Sequence, residues 1–228
     1  MGIEDSQTLT RPANLSPVFV GLVLGLFGLQ IVGLLDLPAR IAESQSTQVL
    51  VGSLVNWALV IALFALVVYW EGRPLSSMGL RVPTLREAGV GLAAGLGAVI
   101  LGLLATGIAV VSLGIEQPET LTVIASLPFS VKVALVGTAV ITEEILWRGY
   151  PIERVGELTG NLWIGAAVSV IVFVGVHYPA WGLVGAIPQT VFALILVGVY
   201  VWGRNVVTCM ITHGVINAIM IFVLPAFL

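Results

Sequence analysis

Thr142-Glu143-Glu144-Ile145-Leu146-Trp147-Arg148-Gly149 sets two carboxylates and a guanidinium beside a long apolar run, in a chain of which only 9% is charged. Ionisable groups at membrane depth are costly and mark functional sites. Working outward, two more outliers answer this stretch. The chain holds only two histidines, His177 and His213, each in or at the end of an apolar segment. Together the three places read as one buried polar cluster suited to hydrolytic chemistry inside a membrane.

The composition supports that setting. A 58% hydrophobic fraction and 26 glycines, with a mean hydropathy of +1.10, lie outside the range of soluble domains. Several apolar runs are roughly 20 residues long, enough to cross a bilayer as helices. The alternating pattern of a membrane β-barrel is absent, as is any basic tract for nucleic acid. Cys209 is the single cysteine, so no intrachain disulfide forms, and it reads as a helix-packing residue.

The fold expected is all-α, a polytopic transmembrane helical bundle of about seven spans, with six to eight compatible. Residues 1–17 read as a polar tail, 18–113 as N-terminal transmembrane helices and 114–228 as the helical core carrying the motifs. The segments run near 18–35, 49–70, 88–113, 129–158, 162–177, 183–202 and 206–227. Gly114 to Pro128 reads as a loop. A cleaved signal peptide fits segment one less well, because Glu4 and Asp5 precede it with only Arg11. With the N-terminus cytoplasmic, Arg11, Arg73, Arg81, Arg86, Arg154 and Arg204 fall inside and only Arg40 outside.

Spacing lets the sites meet. If the fourth helix continues past Arg148 to a turn at Thr159-Gly160-Asn161, Glu143 and His177 each lie 17 residues from Gly160. Both then sit roughly 25 Å from the turn. Pro151 should kink that helix and free a carbonyl, while Glu153, Arg154 and Glu157 should reach water. His213 and Asn217 share a helical face, about 13 and 20 Å in from Arg204. The cluster is therefore expected below mid-bilayer, in a cavity open toward the cytoplasm.

Glu144 and Arg148 are four apart with the acid first, the favourable order for a helical ion pair. Glu143, roughly 100° round the helix, is left as the spare carboxylate and the candidate general base. Each residue also has a plainer reading. The trio could be a polar knot locking helices, either histidine a packing residue, Asn217 interhelical glue, and Lys132 a snorkelling side chain. Trp147, Tyr150, Tyr178 and Trp181 read as cavity-lining or interfacial.

Glu143-Glu144-xxx-Arg148, Phe173-xxx-His177 and His213-xxx-Asn217 resemble, in order, the three signatures of the CPBP family of intramembrane proteases. That family comprises the CaaX prenyl endopeptidases and bacteriocin-processing relatives. The likeness covers roughly residues 120 to 225. It implies that Glu143 and His177 activate a water and that His213 and Asn217 stabilise the oxyanion. Glu144, Arg148 and Phe173 would support them, Glu144 and Arg148 by holding Glu143. The implied substrate is a lipidated or membrane-bound polypeptide cut near its C-terminus.

No cofactor is favoured. Zinc held by Glu143, His177 and His213 is the alternative, although His-Glu-x-x-His is absent and Asn217 beside His213 suits an oxyanion site better. Two other functions fit the same residues: a proton-coupled transporter, which would be expected to show paired repeats that are not found, and a non-catalytic immunity or scaffold membrane protein.

Overall fold

The computed structural model describes residues 15–114 and 119–226, which form helices joined by turns, with no strand among them. The expected tail up to residue 14 and the stretch 115–118 lie outside the described residues. Helix α1 spans Leu15–Gly33, α2 Leu37–Ile41, α3 Gln45–Ala65 and α4 Leu85–Leu113. Then come α5 (Glu119–Ser126), α6 (Phe129–Glu144), α7 (Tyr150–Thr159), α8 (Leu162–Gly203) and α9 (Val206–Ala218).

Local chemistry sets the ends. Ser44 caps α3 by accepting from the Thr47 N–H. Thr84 and Glu87 form a reciprocal capping box on α4. Gly160 ends α7 in the left-handed conformation, as the Thr-Gly-Asn turn required. The Gly114–Pro128 connection is not all loop, since eight of its residues form α5.

Five helical stretches are long and apolar enough to cross a membrane, but α8 must count twice. A straight helix would separate Ser169 from Tyr200 by roughly 45 Å. Yet Ser169 Oγ donates to the Trp147 carbonyl and Tyr200 Oη to that of Gly149, two residues further along. The chain therefore doubles back, and the reversal is at Gly182, with φ 60° and ψ −166°. That region is open essentially to glycine alone. Continuous α6–α7 adds another pass, its charges excluding it on composition. Counted this way, the helices are compatible with the seven spans expected from the segments.

Polarity is arranged inside out. Arg148, Arg154 and Glu144 are among the fully buried side chains, while Leu54, Ile61, Ile108 and Ile171 are each more than 60% exposed. Such an outer surface is stable in hydrocarbon, and the chain is a multi-pass membrane protein.

Glycines let backbones approach. A Cβ on Gly91 or Gly95 of α4 would come within 3.0 or 2.8 Å of carbonyls on α9. In their place, Thr212 Oγ1 donates to the Gly91 carbonyl at 3.0 Å. This is the small-residue packing that replaces hydrophobic drive in lipid. In this way α4 lies against α9 and α8, while α3 lies along α6 and α1 along α7.

One end of the bundle gathers the charges. Arg154 is held by Glu71 at 2.7 Å and by Ser77, Arg73 by Glu157, Arg204 by Glu153 and Arg81 by Glu87. Tyr150 donates to Glu71 at 2.6 Å and Tyr200 to Glu153 at 3.0 Å. The expectation that Glu153 and Arg154 reach water is corrected, because they are 3% and 0% exposed. Glu153 is paired with Arg204 and Arg154 with Glu71 instead. Carboxylates of α7 raise the pKa of the connector arginines Arg73 and Arg204, Glu157 and Glu153 being the chief causes.

Candidate active site

Glu143 and Glu144 close α6, and the chain then widens into a π turn over Ile145–Gly149 before α7 begins with Pro151 in its first turn. Single π turns recur at functional sites because they re-aim neighbouring side chains. Pro151 has no N–H for the Trp147 carbonyl four residues back. Ser169 on the next pass supplies the missing donor at 2.5 Å. The freed carbonyl matches the expectation from Pro151.

The two acids diverge. Glu144 is buried completely, and its Oε1 accepts from Arg148 Nη1 at 3.0 Å and from His213 Nδ1 at 2.8 Å. The expected ion pair is present, but it grips His213 and makes no recorded bond to Glu143, which was the role the resemblance implied for it. Glu144 Oε2 and Arg148 Nε and Nη2 have no hydrogen-bond partner among the described residues. Glu143 instead faces a cavity of about 640 Å³, whose lining also includes His177, His213 and Asn217. Three separate passes thus bring the four expected residues to one space.

Each ring is oriented by its partners. His177 Nδ1 lies 2.7 Å from the Phe173 carbonyl. A carbonyl only accepts, so Nδ1 carries the proton and Nε2 is left without one in the neutral ring. The Phe173 ring is stacked between His177, at 4.3 Å, and the Arg148 guanidinium, at 4.0 Å. Trp147 meets both rings edge-on at 5.2 and 5.5 Å. His213 gives Nδ1–H to Glu144, and its Nε2 is 3.1 Å from Asn217 Nδ2.

That pattern bears on zinc. Both His213 nitrogens are engaged, and among the described residues no three His, Cys, Asp or Glu side chains are grouped to hold a metal. Glu143, His177 and His213 share one cavity.

The cavity sits toward one end of the bundle. Its lining includes Thr106 late in α4, Ala125 of α5, Trp181 and Val184 beside the Gly182 turn, and Pro225. All lie toward the end opposite the arginine-bearing connectors.

The remaining residues divide. Trp181 lines the cavity. Tyr150 is buried in the arginine-end network, while Tyr178 is exposed. Lys132 donates to the Ala125 carbonyl at 3.2 Å, tying α6 to the end of α5. Cys209 is buried and free.

Residues 125–219 match the family model of the type II CAAX prenyl endopeptidases, Rce1-like. That span holds all three motifs, and it bears out the likeness to the CPBP intramembrane proteases. It supports a CAAX-type protease in general terms. Comparisons with curated proteins and with solved structures returned no match.

Proposed function

We propose that the chain is an intramembrane endopeptidase that hydrolyses a peptide bond near the C-terminus of a membrane-associated or prenylated polypeptide. The observation that carries this reading is the shared cavity of Glu143, His177, His213 and Asn217. His177, with Nδ1–H committed to Phe173, offers Nε2 to a water. Glu143 and His177 take its proton as the oxygen attacks the carbonyl carbon.

The carbonyl oxygen then becomes an oxyanion. Asn217 gives one amide hydrogen to His213 Nε2 and keeps the other for the oxyanion, so His213 serves that site by fixing the Asn217 amide. Preorganised donors of this kind are the main electrostatic contribution in acyl transfer. Collapse of the tetrahedral intermediate breaks the C–N bond, and the proton held by the Glu143–His177 pair passes to the departing amine. Glu144, anchored by Arg148, holds His213 in this arrangement, and Phe173 holds His177.

The protein is placed in the cell membrane with its N-terminus and arginine end cytoplasmic, following the excess of basic residues at that end. The cavity then opens at the opposite end. The apolar lining suits a lipidated or lipid-embedded segment.

The test uses the full chain reconstituted in liposomes with internally quenched membrane peptides, farnesylated and unmodified. Glu143→Gln and His177→Ala should each lower kcat/KM by about 10²–10⁴-fold with thermal unfolding intact. Dialysis against a chelator should leave the wild-type rate within a factor of about two, the scale of ordinary assay spread against the 10²-fold or larger loss of a catalytic group. Cleavage that survives Glu143→Gln would remove that residue from the mechanism, and proton flux without cleavage would favour transport.

A further inference from the structure

A peptide drawn into this cavity gives up water at every main-chain N–H and C=O, and unpaired groups there are costly. The groups assigned to the chemistry serve only the scissile carbonyl. Something else must receive the chain on either side of it.

Gln189 lines the same cavity and is half-buried. Its amide makes no hydrogen bond to another described residue, whereas its neighbour Thr190 bonds back to the Ala186 carbonyl at 2.7 Å. Thr106, also in the lining, is likewise spent on the Gly102 carbonyl. Depth puts Gln189 beside the chemistry. It lies seven residues after the Gly182 reversal and His177 five before it, hence roughly 10 and 8 Å along their arms.

A second acceptor sits in the same arm. Pro188 lies inside α8 and has no N–H for the Val184 carbonyl four residues back. Val184 is buried and lines the cavity. An amide that both gives and accepts, beside a main-chain carbonyl without its helical donor, matches the pattern of an extended backbone.

We propose that Gln189, with the Val184 carbonyl, is the main-chain-binding edge of the substrate site, receiving an extended peptide next to the scissile bond. It is a binding residue, and the inference rests on the protease reading above. Because it holds backbone, it confers a requirement for an extended chain and little preference for side chains.

The test pairs kinetics with binding. In reconstituted full-length protein, Gln189→Leu should raise KM about tenfold, the worth of one hydrogen bond, with kcat within about twofold; Gln189→Glu tests whether an acceptor alone suffices. A set of depsipeptides, each with one main-chain N–H replaced by an ester oxygen away from the cut, should contain a position that costs the wild type about tenfold. The same ester should cost Gln189→Leu nothing further. Anisotropy of the labelled peptide on Glu143→Gln, with and without Gln189→Leu, reads binding without turnover. Cleavage with an unchanged KM in Gln189→Leu, or equal ester penalties in both proteins, overturns the proposal while leaving the protease intact. Binding that depends on Gln189 in a protein that never cleaves keeps the edge and removes the protease. A chain that neither binds nor cleaves removes both.

Discussion

Replacing Glu144 by Ala removes an acid bonded to two partners, Arg148 and His213, with no exposed surface on itself or on Arg148. The substitution leaves a guanidinium buried without its counter-ion. Removing one partner of a buried pair costs about 3–5 kcal/mol. For a chain of this length that corresponds to a fall of about 6–20 °C in Tm. Stacking of Arg148 on Phe173 does not replace the lost charge, since a desolvated cation–π contact is worth about 2 kcal/mol and is present in both proteins. Replacing both members by apolar residues of similar volume, Glu144→Leu with Arg148→Met, removes the uncompensated charge. Such swaps are commonly neutral or stabilising by about 1–4 kcal/mol. The double variant should therefore unfold near the wild type while still losing activity, because His213 Nδ1 has no acceptor. Unfolding in detergent, followed by tryptophan fluorescence across the full double-mutant cycle, reads the coupling. A double variant as unstable as Glu144→Ala, or a fully active one, would refute the reasoning.

Two further outcomes are expected. Gly95→Ala should destabilise by about 1–3 kcal/mol through overpacking, since its Cβ would press on the Thr212 carbonyl at 2.8 Å; Gly97→Ala, which meets nothing within 4 Å, should be neutral or gain up to about 1 kcal/mol of helix propensity, both read by thermal unfolding. In a Cys209→Ala background, an impermeant maleimide added to intact cells should label Leu183→Cys at the cavity end, and Val82→Cys on the arginine side only after permeabilisation; the reverse pattern would turn the molecule over.

The passes were legible because apolar length and polar punctuation are local properties. Trp70 ended the second segment and the Phe129 start of α6 was read directly. The four cavity residues were recoverable because helical rise converts sequence separation into depth, which is how Glu143 and His177 were matched across Gly160. What failed was lateral. Glu144 meets His213 across 69 positions and Arg154 meets Glu71 across 83. No periodicity links such partners, so each acid was judged alone and sent to water or to its nearest neighbour. Helix α5 escaped because eight residues carry too little pattern to stand out from a turn. The mouth of the cavity was not legible for a related reason. Depth along one helix does not say which end the neighbouring helices leave open.

The bond from Ser169 to the Trp147 carbonyl ties a ring residue on one pass to a hydroxyl on the next. Pro151 creates the vacancy that Ser169 fills. Any lineage that regains an amide hydrogen at position 151 makes the hydroxyl at 169 redundant, and any lineage that drops the hydroxyl first pays with a thirsty oxygen in oil. Across descendants of this sequence the two positions should drift as a couple, eighteen apart in the chain and inherited as one.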